Sequence, residues 1–326
     1  MATFKLTTLL YALAVLMAAL APPAANASEL FALGGVMRSS DPQDASYSWQ
    51  LEYRQDLYRH LAAGFSYLNE GHVDGHRRDG YTAQLWLRSE LFAKRLTVAA
   101  ALGPYFYLDT TRAFNAKGFT NDHGTKAMLS FAAAWHLQND LIFELRTNWT
   151  TGGQNFDSAS VLGGIGYHFD PNLEPRPGKE FEHEAQNEIT AFLGQTIQNS
   201  FESETAMSGE IEYRHRFLRH LDWTIGNIYE GNDKLARRDG LVSQVWANQD
   251  LLEGLISVGV GVGPYLSLSH YHNALVDDDQ RFACMVTLGG SYRFTPHWGL
   301  RVSWNRMVTG NDLDSDIIMG GLGYRF

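Results

Sequence analysis

Apolar and polar residues alternate along several stretches of the chain. Between Tyr47 and Arg54 every second residue is apolar, and the same alternation runs through residues 81–88, 143–149 and 256–268. Successive side chains of a β-strand point to opposite faces, whereas a helix repeats about every 3.6 residues. The pattern therefore predicts β-strands and an all-β protein.

The distribution of charge between the two strand faces indicates which face meets water. The apolar face is continuous and rich in aromatic residues near strand ends, while the other face carries Glu, Arg and Gln in mid-strand. A soluble sandwich hydrates its charged face, whereas a membrane barrel turns its apolar face to lipid and encloses the charged one. Strands of about 10–13 residues suit a tilted bilayer crossing. The sequence therefore predicts a transmembrane antiparallel β-barrel.

The connections between strands alternate in length. The pattern predicts short turns at Gln55–Tyr58, Phe92–Arg95 and Leu137–Asp140. It predicts long loops at Ser39–Ala45, Asn69–Gly80, Thr110–Gly124 and Thr151–Ser158. Such alternation is typical of an up-and-down barrel with external loops and periplasmic turns. We expect eight strands in this part of the chain.

The chain contains an internal repeat. The run Glu52-Tyr53-Arg54 returns 160 positions later as Glu212-Tyr213-Arg214, and Arg77–Gly80 returns at the same distance as Arg237–Gly240. Phe169 returns 157 positions later as Phe326. The sequence therefore predicts 16 strands as two homologous eight-stranded units.

The ends of the two copies are nearly the same. Residues 160–169 read SVLGGIGYHF, and the chain ends with IIMGGLGYRF at Phe326. Such a run resembles the recognition strand of Gram-negative outer-membrane barrels. The resemblance implies contact with the barrel-assembly machinery through the C-terminal strand, and an outer-membrane location.

Two segments outside the repeats have their own composition. Residues 1–27 combine Lys5, an apolar run and a small-x-small sequence at 25–27, which predicts a cleavable signal peptide and export. Residues 170–187 are rich in proline and charge, which predicts a periplasmic linker. The expected domains are therefore repeat 1 at 28–169 and repeat 2 at 188–326.

The number of barrels depends on how the 16 strands close. The linker favours two tandem barrels, since a single ring would use a tight turn there. The large residues Trp86 and Trp246 also favour two, because the interior of an eight-stranded barrel is just filled by side chains. Glycines such as Gly259 and Gly261 would make room opposite them. A single 16-stranded, porin-like ring is the alternative.

Charged residues on the polar face are the candidate barrel interior. They are Glu52, Arg54, Arg88, Glu90, Glu144, Arg146, Glu212 and Arg214. One interpretation is a polar conduit, and the other is a plug of mutually neutralised ion pairs, because buried charges need partners. An eight-stranded ring favours the plug, and a 16-stranded ring favours the conduit.

The repeated Arg-Arg-Asp-Gly motif is the candidate ligand-binding surface. Its charged members are Arg77, Arg78, Asp79, Arg237, Arg238 and Asp239. Paired arginines at the outer mouth would bind lipopolysaccharide phosphates in bidentate fashion. The alternative is a rim salt bridge that orders the loop.

Composition narrows the function further. The net charge of −10 argues against a general polyanion binder, so no nucleic acid is expected as a partner. The single cysteine, Cys284, excludes an internal disulfide. The acidic run at Asp312, Asp314 and Asp316 has calcium-loop spacing without the glycine and closing Glu of such a loop. We expect no cofactor and no metal.

The last hairpin of each copy resembles that of the lipid A deacylase-like (acyloxyacyl hydrolase) barrels. The resemblance covers one hairpin and the general strand layout, and that family uses a His-x-Ser pair there. This chain has Asn148-Trp149-Thr150 and Asn305-Arg306-Met307 instead. A serine nucleophile needs an imidazole to accept its proton. The resemblance therefore implies shape and not activity.

A second hydrolase arrangement remains open, in which Ser158, His123 and Asp122 meet across neighbouring loops. We nevertheless expect no enzymatic activity. The leading prediction is an outer-membrane barrel with a structural, surface-interaction or lipopolysaccharide-contacting role, whose specificity lies in the external loops. A porin-like channel is the first alternative, and a lipid A-modifying hydrolase is the second.

Overall fold

The structure is a computed structural model with two compact units. It describes residues 28–112, 118–137, 140–153, 155–169, 186–218, 220–232, 237–251, 254–269, 271–272, 277–278, 281–310 and 312–326. The predicted signal peptide, and the predicted linker up to residue 185, lie outside the described residues.

The first unit, barrel 1, is a closed antiparallel sheet of eight strands. The strands are β1 (Ser28–Ser39), β2 (Ala45–Tyr58), β3 (Leu61–Val73), β4 (His76–Leu91), β5 (Leu96–Arg112), β6 (Phe119–His136), β7 (Leu141–Thr151) and β8 (Ser158–Phe169).

The second unit, barrel 2, is also a closed antiparallel sheet of eight strands. Its strands are β9 (Asn187–Gln198), β10 (Thr205–Leu218), β11 (Leu221–Asn232), β12 (Arg237–Leu251), β13 (Ile256–Ser267), β16 (Phe282–Arg293), β17 (Trp298–Val308) and β18 (Ser315–Arg325). A small hairpin between β13 and β16 pairs β14 (Tyr271–His272) with β15 (Asp277–Asp278).

Each barrel closes because its first and last strands pair. In barrel 1, Ser28 of β1 lies opposite Phe169 of β8. In barrel 2, Glu188 of β9 lies opposite Arg325 of β18. The all-β fold with two eight-stranded units is therefore confirmed, and the single 16-stranded ring is not formed.

The two ends of each barrel differ in the connections that they carry. We call the end of barrel 1 with the β2–β3, β4–β5 and β6–β7 connections its turn end, and the opposite end its loop end. In barrel 2 the turn end carries the β10–β11, β12–β13 and β16–β17 connections.

The two faces of each sheet are inverted relative to a soluble protein. Large apolar side chains such as Leu85, Leu102 and Leu145 point outward and are exposed. Arg54 and Arg146 point inward and are buried. This is the arrangement that a lipid-facing barrel requires. No helix within the described ranges is long and apolar enough to cross a membrane.

Two predicted loops are wrong in extent. The predicted loop 69–80 is a hairpin in which β3 continues to Val73 and β4 begins at His76. Its tip includes Gly75, whose φ of 75° lies in the left-handed region that glycine adopts at low cost. The predicted loop 110–124 is likewise shortened, because β5 reaches Arg112 and β6 begins at Phe119. The Arg-Arg-Asp-Gly motif therefore lies within strand β4.

Candidate functional site

Four charged side chains form a ring in the middle of barrel 1. Arg54 Nη2 lies 2.8 Å from Glu52 Oε1, and Arg54 Nη1 lies 3.2 Å from Glu144 Oε2. Arg146 Nη1 lies 2.6 Å from Glu52 Oε2, and Arg146 also contacts Glu144. All four are buried, with Arg146 completely inaccessible. We call this set the charge ring. Its two positive and two negative charges cancel.

Aromatic side chains fill the space around the charge ring. The guanidinium of Arg54 lies 4.5 Å from the ring centroid of Phe31 and 4.2 Å from that of Trp86. Arg146 lies 4.9 Å from the Trp86 centroid. A Cβ at Gly64 would come within 2.7 Å of Trp86 Nε1, so glycine allows this close approach. The centre of barrel 1 is packed with cations on aromatic faces.

The charges near the turn end of barrel 1 are less buried. Arg88 Nη2 lies 2.7 Å from Asp56 Oδ1 and its Nη1 lies 3.7 Å from Glu29 Oε2. Glu90 follows on the same face, but it is exposed and lies 3.9 Å from Lys94 Nζ. Arg88 therefore lines the interior, while Glu90 lies at the turn-end mouth.

An uncharged polar layer lies on the loop-end side of the charge ring. Gln50 Nε2 donates to Ser66 Oγ at 2.7 Å, and Asn148 Nδ2 donates to Gln50 Oε1 at 3.1 Å. Ser130 Oγ donates to Asn148 Oδ1 at 2.8 Å, and Gln84 Nε2 donates to Ser130 Oγ at 2.9 Å. The network crosses the barrel and fills it with mutually bonded side chains.

The loop end of barrel 1 is covered by the β7–β8 connection. Arg78 Nε donates to Glu70 Oε2 at 2.5 Å, and its Nη1 donates to the Phe156 carbonyl at 2.6 Å. The guanidinium also lies 3.6 Å from the Phe156 ring centroid. Ser158 Oγ donates to Glu70 Oε1, and Tyr105 OH donates to Glu70 Oε2 at 3.0 Å. We call Arg78, Glu70, Ser158 and the Phe156 carbonyl the loop-end latch.

Barrel 2 repeats the loop-end latch at the equivalent positions. Arg238 Nη1 donates to the Leu313 carbonyl at 2.9 Å, and its Nη2 donates to Glu230 Oε2 at 3.0 Å. Ser315 Oγ donates to the same Glu230 oxygen at 3.0 Å. Arg238 and Glu230 are buried. The second arginine of the repeated motif therefore has the same inward role in both copies.

Arg77, Asp79 and Asp239 of the repeated motif lie on the outward face of β4 and β12. Asp79 accepts a hydrogen bond from Tyr67 OH at 2.5 Å, and Arg77 is half-buried. In barrel 2, Asp239 is half-buried, and Arg237 lies at the start of β12. Neighbouring side chains of a strand point to opposite faces. Arg77 and Arg78 therefore do not form the paired phosphate clamp that was expected.

The interior of barrel 2 holds a different charge arrangement. Arg301 Nη1 lies 2.5 Å from Glu212 Oε1 and 3.3 Å from Glu188 Oε1. Arg214 Nε lies 3.6 Å from Glu212 Oε1, and its guanidinium lies 4.4 Å from the Trp246 centroid. The central ring of barrel 1 is absent here, because Ser303 replaces Arg146.

The proposed three-residue hydrolase arrangement is not assembled. Ser158 points inward, where its hydroxyl bonds to Glu70 and Thr150. His123 lies opposite Leu108 in the register, on the outward face of β6. Within the described ranges, no group of three or more His, Cys, Asp or Glu side chains is placed to hold a metal ion. Cys284 is buried.

Comparisons with known proteins concern the fold. No family model matches the sequence, and no curated protein matches it. The N-terminal β-barrel domain of OprF from Pseudomonas aeruginosa is 14% identical, with 44% of this chain and 98% of that chain covered and a TM-score of 0.35. Neisserial surface protein A is 9% identical over 44% of this chain and 97% of that chain, with a TM-score of 0.36.

An outer-membrane channel from Pseudomonas putida F1 is 11% identical over 94% of this chain and 97% of that chain, with a TM-score of 0.24. With identities and TM-scores this low, these similarities carry no argument, and the strand pairing of each barrel is what establishes the fold.

Proposed function

We propose that the chain is an integral outer-membrane protein without catalytic activity, in which two filled barrels serve as membrane anchors and the loop ends contact the cell surface. The observation that carries this proposal is the packed interior of barrel 1. A neutral charge ring, an uncharged polar layer and a latched connection follow one another from the turn end to the loop end. Eight-stranded barrels of this kind are filled by their own side chains.

The outward face supports insertion into lipid. Its exposed apolar side chains include Leu51, Leu193, Val302 and Ile318. The C-terminal Phe326 is also exposed, and its backbone N–H donates to the Asn187 carbonyl at 3.0 Å. We propose that the strand ending at Phe326 is the segment that the barrel-assembly machinery recognises.

Lipopolysaccharide is the proposed surface partner of barrel 1. Arg77 lies opposite Thr110 in the register, so Arg112, two residues beyond Thr110, is its diagonal neighbour on the outward face. Such neighbours lie about 7–8 Å apart. Two guanidinium groups at the loop end would contact the phosphates of one lipopolysaccharide molecule. The binding pair is therefore Arg77 with Arg112, in place of Arg77 with Arg78.

Conductance tests the proposal that the barrels are filled. We expect folded, bilayer-inserted protein to give no large ohmic steps, because side chains and latched connections occupy barrel 1 and the loop-end latch recurs in barrel 2. The measurement is planar-bilayer recording beside a sixteen-stranded porin as a positive control. Stable, porin-sized steps would contradict the proposal and make transport the working function.

Charge removal at the outer rim tests the lipopolysaccharide contact. The double variant Arg77→Gln/Arg112→Gln is expected to bind purified lipopolysaccharide about threefold to tenfold more weakly, since each exposed ion pair contributes at most about 1 kcal/mol. The matched control is Arg59→Gln/Arg95→Gln, which removes two exposed arginines at the turn end. Equal affinities of both double variants would contradict the contact, and the loss should shrink at high salt.

A further inference from the structure

The turn end of barrel 2 has gained arginine relative to barrel 1. Asp56, His136, Glu144 and His168 of barrel 1 correspond in the repeat to Arg216, Arg293, Arg301 and Arg325. All four arginines point into barrel 2, because each lies on the inward face of its strand. This enrichment occurs in a chain whose net charge is −10.

Acidic partners at this end are fewer than the arginines. Arg325 Nε lies 2.6 Å from Glu188 Oε2. Asp222 Oδ1 lies 3.3 Å from Arg216 Nε. Two further arginines lie one level deeper in the barrel. Arg301 pairs with Glu212 and Glu188. Arg214 pairs with Asp222. Among the described residues, the five arginines of this end and of the level below it form ion pairs with four carboxylates: Glu188, Glu212, Asp222 and Asp250. A fifth buried carboxylate, Glu210, lies deeper in the barrel and interacts electrostatically with Arg214 and Arg301.

Arg293 is the arginine left with the weakest partner. Its Nη2 lies 3.7 Å from Asp250 Oδ1, and Asp250 is already 3.4 Å from Arg216. Only 4% of Arg293 is exposed, yet its Nε and Nη2 make no hydrogen bond. The positive charges of Arg325 and Arg216 act on it from nearby, as do the negative charges of Asp250 and Glu188. Buried guanidinium N–H groups that donate no hydrogen bond are costly unless a ligand or water accepts from them.

We propose that the turn end of barrel 2 binds a phosphate-class oxyanion, held by Arg293 with Arg216 and Arg325. The ligand would enter from the water at the turn end, where Arg216 and Arg325 are partly exposed. It would accept the two N–H groups that Arg293 leaves unused. Guanidinium donors suit phosphate because their planar fork matches two of its oxygens.

Barrel 1 is the internal control for this site. Its turn end pairs Arg88 with Asp56 at 2.7 Å, and Glu29 lies 3.6 Å from His168 Nδ1. The positions of Arg293 and Arg325 are occupied there by His136 and His168. His136 Nε2 lies within hydrogen-bond distance, 2.9 Å, of Thr97 Oγ1. The oxyanion site is therefore assigned to barrel 2 alone.

Calorimetric titration of the folded full-length protein with inorganic phosphate tests the site, in non-ionic detergent and at constant ionic strength. We expect saturable binding of one phosphate per chain. Arg293→His, which installs the barrel 1 residue, is expected to weaken binding at least about tenfold, because it removes charge-assisted hydrogen bonds. Arg95→Gln, which replaces an exposed arginine at the turn end of barrel 1, is expected to leave the affinity for phosphate unchanged.

A variant with the opposite expected sign separates ligand binding from misfolding. Asp250→Asn removes the carboxylate that competes for Arg216 and Arg293, so phosphate binding should tighten about threefold or more. A misfolded variant would lose binding. Absence of saturable binding to the wild type, or equal affinities for wild type and Arg293→His, overturns the proposal. Binding of short-chain phosphatidic acid without binding of inorganic phosphate also overturns it, in favour of a lipid site.

Discussion

Replacing Arg146 with methionine is expected to lower the free energy of unfolding of barrel 1 by about 3–5 kcal/mol, the usual cost of removing one partner from a buried ion pair. The variant would leave the buried carboxylates of Glu52 and Glu144 with Arg54 as their shared partner in the charge ring. Methionine retains much of the side-chain volume beside Trp86, so lost packing contributes little. Equilibrium urea unfolding in lipid vesicles measures the loss.

A charge-balanced double variant is the matched control for this prediction. Arg146→Met/Glu144→Gln removes one positive and one negative charge and leaves the Glu52–Arg54 pair at 2.8 Å. It is expected to recover most of the stability that the single variant loses, because no buried carboxylate is left short of a partner. A double variant as unstable as the single one would assign the effect to packing and contradict the role of charge.

The members of the charge ring could be predicted from the sequence, but their pairing could not. Strand alternation places Glu52, Arg54, Glu144 and Arg146 on the polar face, and a closed barrel turns that face inward. Glu52 and Arg146 meet at 2.6 Å although 94 positions separate them. That contact depends on strand tilt and stagger, which are properties of the closed barrel. The alternation of apolar and polar residues along a single strand does not reveal strand tilt or stagger.

Strand ends were predicted less well than strand faces. Polar residues such as His72, Asp74 and Arg77 indicate a loop when read by composition, yet they lie in or next to the β3–β4 hairpin. Beyond the bilayer a strand no longer needs an apolar face, so its pattern becomes polar while its ladder continues. Residue composition therefore predicts where the lipid-facing part of a strand ends, and the strand itself extends beyond that point.

Recurrence distinguishes the Arg-Arg-Asp-Gly motif in the sequence, but the role of each of its residues depends on the strand face on which that residue lies. The sequence alone predicts that Arg77 and Arg78 form one surface pair. Because β4 contains the motif, the alternation of side chains along the strand places Arg78 on the inward face and Arg77 on the outward face. Repetition of a residue in both copies does not reveal whether its contact lies inside or outside the barrel. In this chain, the described arginine that recurs with the same partners is the inward one.

Replacing Arg78 with methionine is expected to release the connection between β7 and β8 at the loop end of barrel 1. The variant loses charge-assisted hydrogen bonds to Glu70 and to the Phe156 carbonyl, each worth about 1.5–3 kcal/mol. Opening of this connection should therefore become at least about tenfold more frequent, because about 1.4 kcal/mol corresponds to tenfold. Amide hydrogen exchange in the connection and its cleavage rate by proteinase K both report the opening free energy.

Two single variants, tested separately, show whether this result is specific to the loop-end latch. Arg77→Met removes the neighbouring arginine on the outward face and is expected to leave exchange in the connection unchanged. Arg238→Met is expected to accelerate exchange between β17 and β18 only, because its guanidinium bonds to the Leu313 carbonyl and to Glu230 within barrel 2. Equal protection in Arg78→Met and wild type would show that Phe156, packed with Met37 and Val73, holds the connection by apolar contact alone. Faster exchange at the matching connection of each barrel would instead establish that the duplicated arginine closes the loop end of both.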